Sequence, residues 1–159
     1  YSTDYGMFHF CIADSEHDWR EGSEQYKESL QKLWQKYKVD IAIFGHVHNY
    51  ERTCPIYQNQ CVNSEKSHHS GTVNGTIHVV AGGGGSHLSA FGSVQPTWSL
   101  FRDVDFGFVK LTAFNHSSLL FEYKKSSDGK VYDSFTISRD YRDVLACVHD
   151  GCEPTTLAP

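Results

Sequence analysis

Two histidines one residue apart, His46 and His48, carry the clearest chemical signal in this chain. They lie in VDIAIFGHVHNYER at 39–52, where an apolar run (Val39, Ile41, Ile43, Phe44) ends at Gly45. Imidazole is the commonest metal ligand near neutral pH. On an extended backbone, positions i and i+2 point to one face, so both rings can converge on one cation. α/β architectures also place their ligand sites where core strands run out. His46 and His48 therefore read as a metal-ligand pair at the C-terminal end of a core strand.

The other candidate clusters are weaker. AGGGGSH at 81–87 lacks the Gly-Lys-Ser/Thr ending of a phosphate loop, and no clear helix follows it. It reads as a tight strand exit, where small residues let another loop or a ligand come close. His87 ends this turn and either approaches the histidine pair or stays apart from it. DSEHD at 14–18 packs acids around a histidine, but adjacent side chains splay, which suits a solvated turn. His68 and His69 fall in a polar stretch and are expected in solvent. His9, His78 and His116 are expected to be surface or internally satisfied histidines. No Ser, Cys or Lys nucleophile has a recognisable companion base.

The elements that must position the pair follow from periodicity. A strand is expected at 5–13 and a helix from about Ser23 to Lys38. The helix's apolar positions Tyr26, Leu30, Leu33, Trp34 and Tyr37 share one face. Gly22 or Ser23 can cap its start. Strand 39–44 follows directly. Residues 53–75 read as a long polar loop, 76–85 as a strand running into the glycine turn, and 86–103 as irregular. Three strands joined by tight turns are expected at 104–114, 117–124 and 130–138. Residues 1–150 are assigned to a single domain and 151–159 to a flexible tail.

A chain of 159 residues with 39% apolar and 21% charged residues is a globular composition that can bury a core. A net charge of −5 argues against a nucleic-acid groove, and no apolar run reaches membrane-spanning length. Ten Phe, nine Tyr and three Trp favour a sheet-rich core. Of five cysteines, Cys54 with Cys61 and Cys147 with Cys152 bracket short loops and suit local disulfides, leaving Cys11 within an apolar run. Sequons at Asn74 and Asn115, taken with paired cysteines, lean towards a secreted protein, extracellular or vacuolar. The chain opens Tyr-Ser-Thr rather than with Met, which suggests a removed leader or a piece of something longer.

GHVHNYER closely resembles the last metal-ligand motif, G-H-x-H, of purple acid phosphatases, the plant type in particular. YGMFHFCIADSEHDWREGSEQYK resembles an upstream segment of that family. TIHVVAGGGGSHL resembles its glycine-rich strand exit, and FGFVKLTAFNHSSLLFEYKKSSDGKVYDSFTISRDY its C-terminal strands. The order is the family order, and the likeness covers nearly the whole chain. It implies an α+β fold: part of a metallophosphoesterase sandwich, with mixed sheets, a flanking helix and antiparallel C-terminal strands. It further implies a ferric ion beside a divalent zinc, manganese or iron, with His46 on the divalent metal and His48 on the ferric ion. The implied activity is acid hydrolysis of phosphate monoesters by a metal-bound hydroxide.

The departures from the family pattern matter as much. Of the motifs that carry the remaining ligands, G-D-x-x-Y and G-N-H-[DE] do not occur here, and D-x-G occurs only as the bare tripeptides Asp4-Tyr5-Gly6 and Asp105-Phe106-Gly107. Glu24-Gln25-Tyr26-Lys27 runs straight into Glu28-Ser29-Leu30-Gln31, so a stretch carrying a strand and another histidine ligand is missing at about Lys27/Glu28. Two metals need roughly four to six donors each. The motif supplies two, enough for at most one weakly held divalent ion. The expectation is an incomplete domain with little or no turnover by itself. A truncated or spliced non-catalytic form, binding a partner or a stray metal, is the alternative. An open sheet edge would invite a second copy or a complementing N-terminal chain. A third reading, a single zinc on His46, His48 and a histidine of a neighbouring strand, points to His78.

Overall fold

The computed structural model describes residues 2–5, 8–11, 30–115 and 117–139, with side chains from residue 30 onward. The start of the expected helix, DSEHD, His116, the Cys147/Cys152 pair and the tail all lie outside the described residues. The chain begins with a hairpin, β1 (Ser2–Tyr5) antiparallel to β2 (Phe8–Cys11). The run at 5–13 is thus not one strand, because the chain reverses between Tyr5 and Phe8.

Helix α1 spans Gln31–Lys36, and Lys38 ends it in a left-handed conformation (φ 51°). The expected apolar face is not the one it buries. Gln31 and Gln35 are buried, while Leu33 and Tyr37 are 47% and 58% exposed. Gln31, Trp34 and Gln35 share a helix face through i, i+3 and i, i+4 spacing. Trp34 turns that face inward by resting its ring on Phe44 and His78, with centroids 6.2 and 5.3 Å away.

Next come β3 (Ile41–Phe44), β4 (Tyr50–Tyr57), β5 (Gln60–Cys61), β6 (His68–Ser70), β7 (Thr76–Ala81) and β8 (Ser99–Asp103). The last three strands are β9 (Gly107–Asn115), β10 (Ser118–Lys125) and β11 (Val131–Ser138). One mixed sheet has the order β3-β7-β4-β5, with β8 also on β4, and β3 runs parallel to β7. A second mixed sheet has the order β6-β11-β10-β9, antiparallel except for the β6–β11 pair. The two sheets share one core: Tyr50, Ile77 and Val79 from the first meet Phe121, Tyr123, Phe135 and Ile137 from the second. Tyr50 stacks on Tyr123 at 3.7 Å, and Phe121 on Phe135 at 4.7 Å. No described helix is long and apolar enough to cross a membrane.

The expected loop at 53–75 holds strand as well, the rest of β4 together with β5 and β6. β4 continues through Pro55 because a register irregularity between Arg52 and Pro55 absorbs the missing donor. Gln58 and Asn59, both at positive φ, turn the chain into β5, and the Cys54–Cys61 disulfide closes this hairpin. Residues 86–103 are not wholly irregular either, since β8 pairs with β4 over Tyr50–Thr53.

Candidate metal centre

β3 stops at Phe44, and residues 46–49 form a bend rather than an extended strand. Asn49 N–H reaches back to Val47 O at 2.9 Å, a three-residue turn. The alternation argument for His46 and His48 therefore fails. The apolar run ends one residue before Gly45, and the backbone curls before either histidine. His46 is exposed and His48 is half-buried.

The glycine-rich exit of β7 clasps this bend. Gly82 N–H donates to Asn49 O at 3.0 Å and Ser89 N–H to His48 O at 2.8 Å. The Asn49 side chain donates to Ser89 O at 3.2 Å. A β-carbon on Gly82 would run into the Val47 carbonyl, so only glycine allows this approach. The clasp carries His87 to His48: Nδ1 of His48 lies 2.8 Å from His87 O, and the ring centroids are 5.1 Å apart. Of the two placements open to His87 in the sequence, the structure has the approach.

His78 does not join them. It is buried on β7 between the rings of Trp34 and Phe44, and burial pushes its pKa down to about 4. Among the described residues no three His, Cys, Asp or Glu side chains stand where they could hold a metal together. That removes the third reading, a zinc shared by His46, His48 and His78. His69 departs from expectation in another way. It is 2% exposed, packs edge-on against Phe135, and neither ring nitrogen has a hydrogen-bond partner among the described residues. The strand β6, hidden in the apparent polar loop, carries it inward. His68, its neighbour, is exposed as expected.

Each carboxylate among the described side chains is engaged elsewhere. Asp40 pairs with Arg139, Glu51 with Arg102, and Asp103 and Asp105 with Lys125. Glu122 pairs with Lys110, Asp128 with Lys130, and Asp133 with Arg52. Glu65 accepts backbone N–H groups of residues 66–68, which holds its carboxyl down at about 2. Among the described residues no carboxylate joins the histidines in a group that could hold a metal. The donor set described here does not fit a dinuclear iron centre.

Sequence reasoning missed one further group, the buried seam next to the histidines. Arg52 of β4 makes two short bonds to Asp133 of β11, Nε–Oδ2 at 2.6 Å and Nη2–Oδ1 at 2.9 Å. Tyr50 Oη donates to the same carboxylate at 2.6 Å. The guanidinium lies between the rings of Phe101 and Phe135, at 4.6 and 4.7 Å. An arginine two residues beyond an inward-facing tyrosine on one strand was the available signal.

The described residues form a mostly β fold, two mixed sheets sharing one aromatic core, with one short helix and a histidine bend at the mouth of a parallel strand. The structure of a purple acid phosphatase, PPD1, from yellow lupin seeds superposes on the whole chain with a TM-score of 0.82 and 56% identity. The chain covers 36% of that structure. Residues 75–134 match the family described as iron/zinc purple acid phosphatase-like protein C. The "Probable inactive purple acid phosphatase 27" of Arabidopsis thaliana is 62% identical over 99% of the chain, and the chain covers 33% of it. A barley (Hordeum vulgare) "Nucleotide pyrophosphatase/phosphodiesterase" is 61% identical over 99% of the chain, which covers 55% of it. The chain belongs to the purple acid phosphatase family and corresponds to the C-terminal portion of its plant members. It spans about a third of the Arabidopsis relative and about half of the barley one. Both alignments run over 203 positions for a chain of 159 residues, so at least 44 positions (203 less 159) of each relative have no counterpart here.

Proposed function

We infer that this polypeptide is a catalytically silent purple acid phosphatase homologue, which alone turns over no phosphate monoester and holds no iron pair. The observation that carries this reading is the donor set. Among the described residues no group of three donors forms at His46 and His48, and every described carboxylate is paired with a cation or with backbone N–H groups. The internal shortfall against the relatives adds support, because it falls inside the alignment and does not depend on where the chain begins or ends. The Arabidopsis relative's name, which includes "inactive", points the same way.

A complementing chain that supplied the missing donors would restore phosphoester hydrolysis at His46 and His48. The barley relative, named as a pyrophosphatase/phosphodiesterase, is the precedent for an active member. Such a chain, or a second copy, would also cover β3, whose one described strand neighbour is β7 and whose Ile43 is 48% exposed. A secreted or vacuolar setting suits the Cys54–Cys61 disulfide.

The test combines metal analysis of the purified chain with turnover of a chromogenic phosphate ester, before and after supplying ferric and zinc ions. Sub-stoichiometric iron and no turnover above buffer are expected. Paired ions at one set per chain, together with turnover, would overturn the reading.

A further inference from the structure

The geometry points to a two-histidine site for a single divalent transition-metal ion, built from His48 and His87 rather than from His46 and His48. A carbonyl oxygen can only accept, so the 2.8 Å contact with His87 O makes Nδ1 of His48 the donor. The lone pair of neutral His48 then sits on Nε2. Nδ1 of His87 is taken up by Ser86 Oγ at 3.2 Å, which leaves Nε2 as its outward nitrogen. Two imidazoles bound through Nε2 at about 2.0–2.1 Å in a tetrahedral shell have ring centres about 5 Å apart. The rings of His48 and His87 are 5.1 Å apart, with their planes at 61°.

The supports of this pair are those of a metal site. A ligating histidine commonly gives its other ring N–H to a backbone carbonyl, which fixes tautomer and orientation. Here the carbonyl belongs to the second histidine. The Gly82–Asn49 and Ser89–His48 hydrogen bonds tie together the segments that carry the two histidines, so the rings start close together. His87 is exposed and His48 half-buried, which lets an ion enter from solvent and keep water in its remaining positions. Two imidazoles without a thiolate or a nearby free carboxylate suit Cu(II) best among the available divalent ions, ahead of Zn(II) and Ni(II). His48 thereby has a different partner from the one its motif implies. This inference stands apart from the catalytic reading, since a silent chain could hold such an ion or not.

The test titrates the full 159-residue chain with Cu(II) by calorimetry and counts bound nitrogens by electron paramagnetic resonance. One ion per chain with two nitrogens is expected. His48→Ala and His87→Ala should each weaken binding at least about tenfold, since even outer-shell partners of a metal are worth 10–100-fold. Each should also remove one nitrogen from the signal. His87→Gln keeps a polar residue in the exposed loop and should behave as His87→Ala, which separates ligand loss from misfolding. His68→Ala, on the β6 edge, should bind as wild type. Wild-type affinity in both His87 variants, or no stoichiometric copper in the parent chain, would overturn the site. Neither result would touch the catalytic reading, which falls only to paired ions with phosphatase turnover.

Discussion

Within seven residues, His46 to Arg52, the chain passes from a solvent-facing rim to a fully buried seam. At the rim, His46 is exposed, and the bend is held mainly by backbone bonds to the glycine-rich loop. At the seam, Tyr50 and Arg52 are fully buried and converge on Asp133 across the two sheets. The seam finds most of its partners within the described residues, with Arg52 Nη1 left without one among them. The rim finds no bridging acid. Positioning the histidine bend and charging a metal centre are thus separate tasks, and the described residues perform the first without supplying the donors for the second.

The sharpest way to break that comparison is to strip the seam of its counter-ion. Asp133→Ala leaves the Arg52 guanidinium buried between two rings with its main partner gone. Removing one member of a buried pair costs about 3–5 kcal/mol. The urea midpoint should fall accordingly, far more than for any single histidine at the rim. Arg52→Met with Asp133→Leu, which removes both charges, should recover much of the loss. A midpoint for Asp133→Ala within experimental scatter of wild type would mean that the seam is not what holds the two sheets together.

Acid probes the buried histidines. His78 is pushed down to about 4 by burial, well below its ordinary value of 6.5. As pH falls below 6.5 the unfolded chain takes the proton first, so stability present above that pH drains away towards pH 4. The full loss is about 3 kcal/mol. His69, lowered by burial and by the nearby Arg52 charge, acts in the same direction. Asp40, whose carboxyl burial raises against the pull of Arg139, acts in the opposite one. Urea melts from pH 7 to pH 4 should show a shallower slope for His78→Leu than for wild type. An unchanged slope would place the acid sensitivity elsewhere.

Much of this arrangement was legible in the sequence, and the misses have physical causes. The antiparallel strands β9, β10 and β11 alternate cleanly and end in turn residues, so their bounds were readable to within a few positions. β4 was obscured by Pro55 and two polar turn residues, because a proline at a register irregularity looks like a loop until its partner strand is known. β6 was hidden because three residues of a short edge strand carry no periodicity. Its burial of His69 depends on Phe135, some 66 positions away in the chain. The helix face was misread because tertiary contacts of Trp34 outweigh the apolar count on α1. The histidine pair was found by type and spacing, but its partner was fixed only by the clasp between Gly82 and Asn49.

The hairpin of β4 and β5 extends the seam outward, and its disulfide is the next lever. Cys54 and Cys61 are seven positions apart, and a loop of that size restrains the unfolded chain by about 2–3 kcal/mol. Cys54→Ala with Cys61→Ala should lower the midpoint by that amount and leave the Arg52–Asp133 pair intact, since Cys54 is not one of its partners. A loss well above that range would show that the bridge also fixes β4 against β8.

The smallest effect belongs to the rim. His46 is exposed, and no described hydrogen bond or ring contact ties its side chain to the clasp. Substitutions at such positions usually change stability by no more than about 0.5 kcal/mol. His46→Ala should therefore melt with wild type, even though it removes half of the motif that marks the family. The bend would survive because Gly82, Ser89 and Asn49 hold it through groups that the substitution leaves untouched. A clear destabilisation by His46→Ala would mean that rim and seam are one cooperative unit. The separation of positioning from metal chemistry drawn here would then fail at the residue where it should be cleanest.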